Sequence, residues 1–217
     1  MRKRTIRTVF FGLLASTFLI TSCEKNEITK TQAATVTTVR DLIADTIVGI
    51  SSIGQPYGAG KFTLYSLQTN KVIPNSDSAT AKWDLGFRGT TIITNSGISG
   101  PGNGGAFVYV GTFEELIQVP TDSTFRSDLA ANNLAIPVGS NRAWYVYNAP
   151  ANLITPIPGR VLVIRTASQK FAKVEILNYY KGGITPAATA SDNEKIFKQR
   201  YYTFRFLLQP DGSKKLN

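Results

Sequence analysis

Apolar residues recur along this chain mostly at every second position, in short runs separated by turn residues. The clearest run is AKWDLGFR, where Trp83, Leu85 and Phe87 alternate with Lys82, Asp84, Gly86 and Arg88; a period of two is that of a half-buried strand. The terminal segment YYTFRFLLQ repeats the pattern, with Tyr202, Phe204, Phe206 and Leu208 on one face and a PDGS turn after it. In KFTLYSLQTNKVIP, Phe62, Leu64 and Ser66 share a face and Thr69-Asn70 turns the chain before Lys71. TVTTVRDLIAD is rich in β-branched residues and predicts the first strand. TTIIT follows the AKWDLGFR strand at once, so Gly89 marks a bend or bulge. AFVYVGTF and RAWYVYN predict aromatic strands. GRVLVIRT, a continuous apolar run, predicts a strand buried on both faces. In ASQKFAKVEILNYY a turn leads into Val174 and Ile176 alternating with Lys173 and Glu175. Helical signal is confined to TFEELIQ and SDNEKIFKQ, the second capped by Ser191 or Asp192. Elements this short predict one all-β domain of antiparallel meanders and packed sheets with a few helical turns.

The first residues do not belong to that domain. MRKRTIRTVFFGLLASTFLITSC has a basic start, an apolar stretch from Val9 to Ile20 and small polar residues before Cys23. This is the form of a secretory signal, too short for a spanning helix. LITSC also has the form of a lipobox, making Cys23 the residue to be lipidated and 1–22 the signal peptide. Residues 23–34 read as a polar tether, and 35–217 as the domain. The protein is then exported and lipid-anchored to the outer membrane, on its periplasmic face or at the cell surface. Cys23 is the only cysteine, so the domain forms no internal disulfide.

Removal of Arg2, Lys3, Arg4 and Arg7 with the signal leaves 20 of the 24 basic residues against 14 acidic ones, a net of +6. The remaining cations are scattered, as on solvated strand faces; a nucleic-acid footprint would be a dense stripe. A mildly basic surface suits a small anionic ligand.

What is missing narrows the chemistry further. The chain has no histidine, and its only methionine is Met1. Serine–histidine and cysteine–histidine catalysis and the usual zinc sites therefore drop out. Glu114 and Glu115 are adjacent, Asp84 falls on the polar side of its strand and Asp122 in a turn, so these carboxylates read as solvated rather than as an acid–base pair. NSDSAT and ASDNE are too sparse in oxygen ligands for a calcium loop. The glycine cluster after TTIIT places five glycines within nine residues, Gly97 to Gly105. GPGNGG matches a dinucleotide fingerprint by letters, but AFVYVG follows it where the mechanism needs a helix. It reads instead as a connection between strands that uses positive φ and close backbone approach. No enzyme activity is expected.

Several of these stretches together resemble the HmuY family, haem-binding lipoproteins of the outer surface of Bacteroidetes-type bacteria. The matching positions are Trp83-Asp84, Arg88, Thr94-Asn95-Ser96-Gly97, Ser99-Gly100, Gly102, Gly104-Gly105-Ala106, Arg165, Lys173-Val174 and Tyr179-Tyr180, in family order. The resemblance runs from about Thr35 to the C-terminus. It implies an all-β fold, a lipid anchor, and haem capture for a TonB-dependent outer-membrane transporter. It also implies two axial His or Met ligands to the iron, in regions that read SDLAANNLAIP (Ser127 to Pro137) and AWYVYNAPAN (Ala143 to Asn152) here. Neither supplies an imidazole or thioether, and the second ligand position falls at Asn148 or Ala149. Three outcomes stand open. Haem binds by apolar burial and a phenolate, from Tyr145 or Tyr147, with Arg142 or Arg160 as propionate partner; or the ligand is an iron-free porphyrin or other small apolar anion; or the domain is a surface interaction module without a small-molecule ligand. Strand packing competes for both tyrosines, which have the same parity.

Overall fold

The structure, a computed structural model, describes residues 34–217. The signal peptide, the lipidated Cys23 and all of the tether except Ala34 lie outside the described residues. Thirteen strands are found among them: β1 (Val36–Ile43), β2 (Gly49–Ile50), β3 (Pro56–Tyr57), β4 (Thr63–Ser66), β5 (Lys71–Ile73), β6 (Leu85–Arg88), β7 (Thr91–Thr94), β8 (Gly105–Val110), β9 (Tyr145–Asn148), β10 (Leu153–Pro156), β11 (Arg160–Arg165), β12 (Phe171–Tyr180) and β13 (Gln199–Gln209). One sheet has the order β1-β13-β12-β11-β8 and another β5-β4-β6-β7, while β9-β10 and β2-β3 are small hairpins. Every pairing is antiparallel. No described helix is long and apolar enough to cross a membrane.

The two large sheets pack face to face. Leu162, Ile164, Val174, Ile176, Tyr202, Phe204 and Phe206 from one meet Tyr65, Leu67, Leu85, Phe87 and Ile92 from the other. Aromatic rings bridge the layers, with Phe87 stacked 5.5 Å from Phe204 and Tyr65 edge-on at 5.6 Å. The face expected for β13 is the one observed. β11 is buried on both sides as its apolar run predicted, since Val161 and Val163 join Phe113, Leu116, Val119, Leu207 and Leu216 in a second cluster on the outer face.

Four details depart from the sequence expectation. Trp83 does not share a face with Leu85 and Phe87. Strand pairing starts only at Leu85, and Trp83 joins Leu64, Ile93 and Leu134 on the outer side of the four-stranded sheet. Asp84 is not solvated: it is 5% exposed, and its carboxylate accepts the Leu67 N–H (2.8 Å) and the Ala167 N–H (3.0 Å). That backbone capture is what interrupts the alternation. TFEELIQ forms turns rather than a helix. Thr112 and Glu115 do exchange capping bonds there, but the residues after them are drawn to the C-terminus, where Val119 N–H donates to Lys214 O and Leu216 N–H to Ile117 O. Lastly, β10 and the β2-β3 hairpin carry no alternation long enough to signal them. The other helical segment forms as expected, α1 (Asp192–Lys198), with the Ser191 side chain accepting the Glu194 N–H.

Candidate binding cleft

The glycine cluster is a corner built around one side chain. Asn95 is fully buried; its Nδ2 donates to Thr80 O (2.9 Å) and Trp83 O (2.8 Å), and its Oδ1 accepts the Gly102 N–H (2.8 Å). The chain returns over it so closely that a Cβ at Gly100 would lie 2.3 Å from Asn95 Oδ1, and one at Gly104 2.6 Å from Asn95 O. Close approach is thus the reason for these glycines. Positive φ, also expected, occurs only at Gly97 (54°) within the cluster. No phosphate cradle is present: β8 begins directly after the turn.

Past this corner, the outer face of the four-stranded sheet forms the floor of a cleft of about 540 Å³. Phe62 and Ile93 supply the floor with Leu134, residues 131–133 with Pro137 and Val138 form a wall, and exposed Ile98 stands at the rim. This volume lies within the range of roughly 300–1,000 Å³ typical of small-ligand sites. Three exposed arginines border it: Arg88, Arg126 and Arg142. Arg88 lies 4.3 Å from the Phe62 ring centroid and donates to Gly60 O (3.3 Å), and Arg126 donates to Asn133 Oδ1 (2.7 Å). None of the three forms a salt bridge among the described residues, and no acidic residue lines the cleft. The cleft therefore presents unneutralised positive charge around an apolar floor, an arrangement suited to an amphipathic anion. Its lining contains no tyrosine, histidine, methionine or cysteine, and no described cluster of His, Cys, Asp or Glu could hold a metal ion.

Of the residues singled out from sequence, Arg142 lines the cleft. Tyr145 is 7% exposed and packs in the main core, its ring 4.8 Å from that of Trp144. Tyr147 is exposed on the β9-β10 hairpin, where its hydroxyl donates to Asn152 Oδ1 (3.2 Å). Asn148 accepts the Ala151 N–H in the same hairpin turn (3.2 Å). Arg160 begins β11 opposite Val110. These four are absent from the lining. In the same core, burial holds the hydroxyls of Tyr179, Tyr180 and Tyr202 above the usual tyrosine range. Arg88 and Arg126 went unselected as ligand partners because nothing local distinguishes them from other exposed cations; they meet only through long-range folding.

A sequence model described as HmuY protein matches residues 59–190, more than half of the 217-residue chain. No curated protein matches significantly. Among solved structures, a candidate lipoprotein from Bacteroides fragilis aligns at TM-score 0.48 and 14% identity, covering 79% of this chain and 88% of its own. An apo HmuY analog from Tannerella forsythia aligns at 0.44 and 13%, covering 82% and 96%. A candidate HmuY-like haem-binding protein from Bacteroides vulgatus aligns at 0.46 and 10%, covering 80% and 90%.

Proposed function

The chain belongs to the HmuY family, and from that premise we propose that its cleft binds a planar amphipathic anion of the haem and porphyrin class without a side-chain ligand to iron. The observation that carries this reading is the cleft's composition. Three arginines without carboxylate partners border an apolar floor, and no residue that ordinarily ligates haem iron is present. Arg88, Arg126 and Arg142 pair with the ligand's carboxylates, and Phe62, Ile93 and Leu134 cover its apolar body. Export and lipidation at Cys23 would hold the protein at the outer membrane. A TonB-dependent transporter is the recipient that the family resemblance suggests.

Two titrations of the purified protein test the cleft, one with ferric haem and one with metal-free protoporphyrin. Both are expected to saturate with comparable affinity. Alanine at Arg88, Arg126 or Arg142 weakens each by roughly three- to tenfold, while Tyr145→Phe and Tyr147→Phe leave binding unchanged. The spectrum of side-chain-ligated ferric iron, or a preference for haem above about a hundredfold, would overturn the ligand-free reading. Saturation by neither probe would leave a surface interaction module. Lipidation is checked separately: fatty-acid label incorporated by the wild type is lost in Cys23→Ala.

A further inference from the structure

Asp128 is wholly buried, yet it lines no part of the cleft. Its Oδ2 accepts the Thr94 N–H (2.9 Å) and its Oδ1 the Ala135 N–H (2.8 Å). Its own N–H is donated to Ser96 Oγ (3.1 Å), and its carbonyl accepts the Ile98 N–H (2.9 Å). One residue therefore ties the end of β7, the turn at 96–98 and both ends of the segment 128–135. Inside that segment Leu129 N–H donates to Asn133 O (3.0 Å) and Asn133 N–H to Ala130 O (2.9 Å), closing a small loop. Ala131, Asn132, Asn133 and Leu134 of this loop line the cleft, as does Ile98 of the turn. No salt bridge involves Asp128 among the described residues, so its work is done on backbone N–H groups.

The geometry points to Asp128 as the positioning residue of the cleft: its carboxylate fixes the wall that faces the ligand, without touching the ligand. The inference rests on the reading of the cleft as a ligand site. Each carboxylate oxygen serves a different N–H, so both acceptors are needed. An amide has one acceptor oxygen, and Asp128→Asn sets an NH₂ against either Thr94 or Ala135. Asp84 provides an internal control. It too is buried and accepts two backbone N–H groups, but its partners Leu67 and Ala167 lie outside the cleft lining.

The test compares Asp128→Asn, Asp84→Asn and wild type in metal-free protoporphyrin affinity, thermal midpoint and amide hydrogen exchange over residues 129–138. Both variants are expected to lower the midpoint. Only Asp128→Asn is expected to weaken binding, by roughly tenfold, and to speed exchange in 129–138. Where Asp128→Asn does not fold, Ser96→Ala serves instead. It removes the hydroxyl that accepts the Asp128 N–H and that also bonds the Thr94 hydroxyl at the end of β7 (2.8 Å); both carboxylate bonds remain, so the same shifts are expected at smaller size. Equal affinity losses in the two aspartate variants, or unchanged exchange in 129–138, would overturn the inference and leave the functional reading intact. Failure of the wild type to bind protoporphyrin would overturn both.

Discussion

Asn95→Ala is the most direct probe of how the glycine corner is held. The substitution leaves three groups without their partner: the Trp83 carbonyl in a buried position, and the Thr80 carbonyl and Gly102 N–H in half-buried ones. A buried polar group stripped of its bond costs about 1–3 kcal/mol, and the half-buried bonds are worth about 0.5–1.5 kcal/mol each. The sum centres on about 4 kcal/mol, a large part of the roughly 5–15 kcal/mol that stabilises a typical domain. At about 2–4 °C per kcal/mol for a domain of this size, the thermal midpoint should fall by roughly 8–16 °C. The same side chain sets the space available to Gly100, where an added Cβ would lie 2.3 Å from Asn95 Oδ1 and 2.7 Å from Trp83 Cζ2. Gly100→Ala should therefore cost less in an Asn95→Ala background than in wild type. Urea unfolding of the four proteins gives the coupling directly. A midpoint drop below about 2 °C for Asn95→Ala, or additivity within about 0.5 kcal/mol, would refute the claim that Asn95 organises the corner.

Three further perturbations follow from single sites. Gly97 has φ 54°, and a Cβ there would lie 2.0 Å from Asp128 O; Gly97→Ala should cost about 2 kcal/mol or more and also weaken protoporphyrin binding, both read by titration beside thermal melts. Lys173 is buried, donates to Phe113 O (2.6 Å) and Leu116 O (3.0 Å), and sits 4.3 Å from the Phe113 ring centroid. Burial lowers its pKa, yet both carbonyls need the donor, so Lys173→Met should lose about 2–4 kcal/mol in urea unfolding and raise hydrogen exchange across 112–119. The hydrogen bond from Arg205 holds the Glu114 carboxyl below its ordinary value of 4.5. A depressed folded-state pKa contributes stability above that ordinary value and loses it as pH falls through the depressed one, so Glu114→Gln should flatten the acid side of the stability profile below about pH 4.5. An unchanged slope between about pH 3 and 5 would remove Arg205–Glu114 from the account of acid sensitivity.

The layers of the fold were legible because their strands obey simple burial rules. β13 alternates over Tyr202, Phe204, Phe206 and Leu208 because one face meets the main core, and β11 does not alternate because both faces are covered. Pattern reasoning failed where a polar side chain captured backbone. Asp84 was assigned to solvent by its parity, but its two accepted N–H groups take it out of the strand and turn Trp83 to the other side. TFEELIQ carried a helical signal but forms turns, because pairing with the chain terminus competes for the residues that follow Thr112 and Glu115. The cleft was hardest to see. Its cations stand at the end of β6, beside the bridge between Ala106 and Arg126, and in the turn before β9. No local period connects those places.

That separation also bears on how a binding site of this kind changes. Asn95 holds the corner and Asp128 the cleft wall through backbone groups, and both are buried and absent from the lining. The polar residues that would meet a ligand on the proposed reading, Arg88, Arg126, Arg142, Asn132 and Asn133 among them, are exposed. Buried side chains with two or three backbone bonds each are costly to replace, whereas exposed ones usually alter stability little. Shape and ligand chemistry therefore rest on different residues. A lining without iron ligands is compatible with an unchanged framework for this reason, since exchanging an exposed loop residue leaves every backbone bond of the Asp128 and Asn95 networks in place.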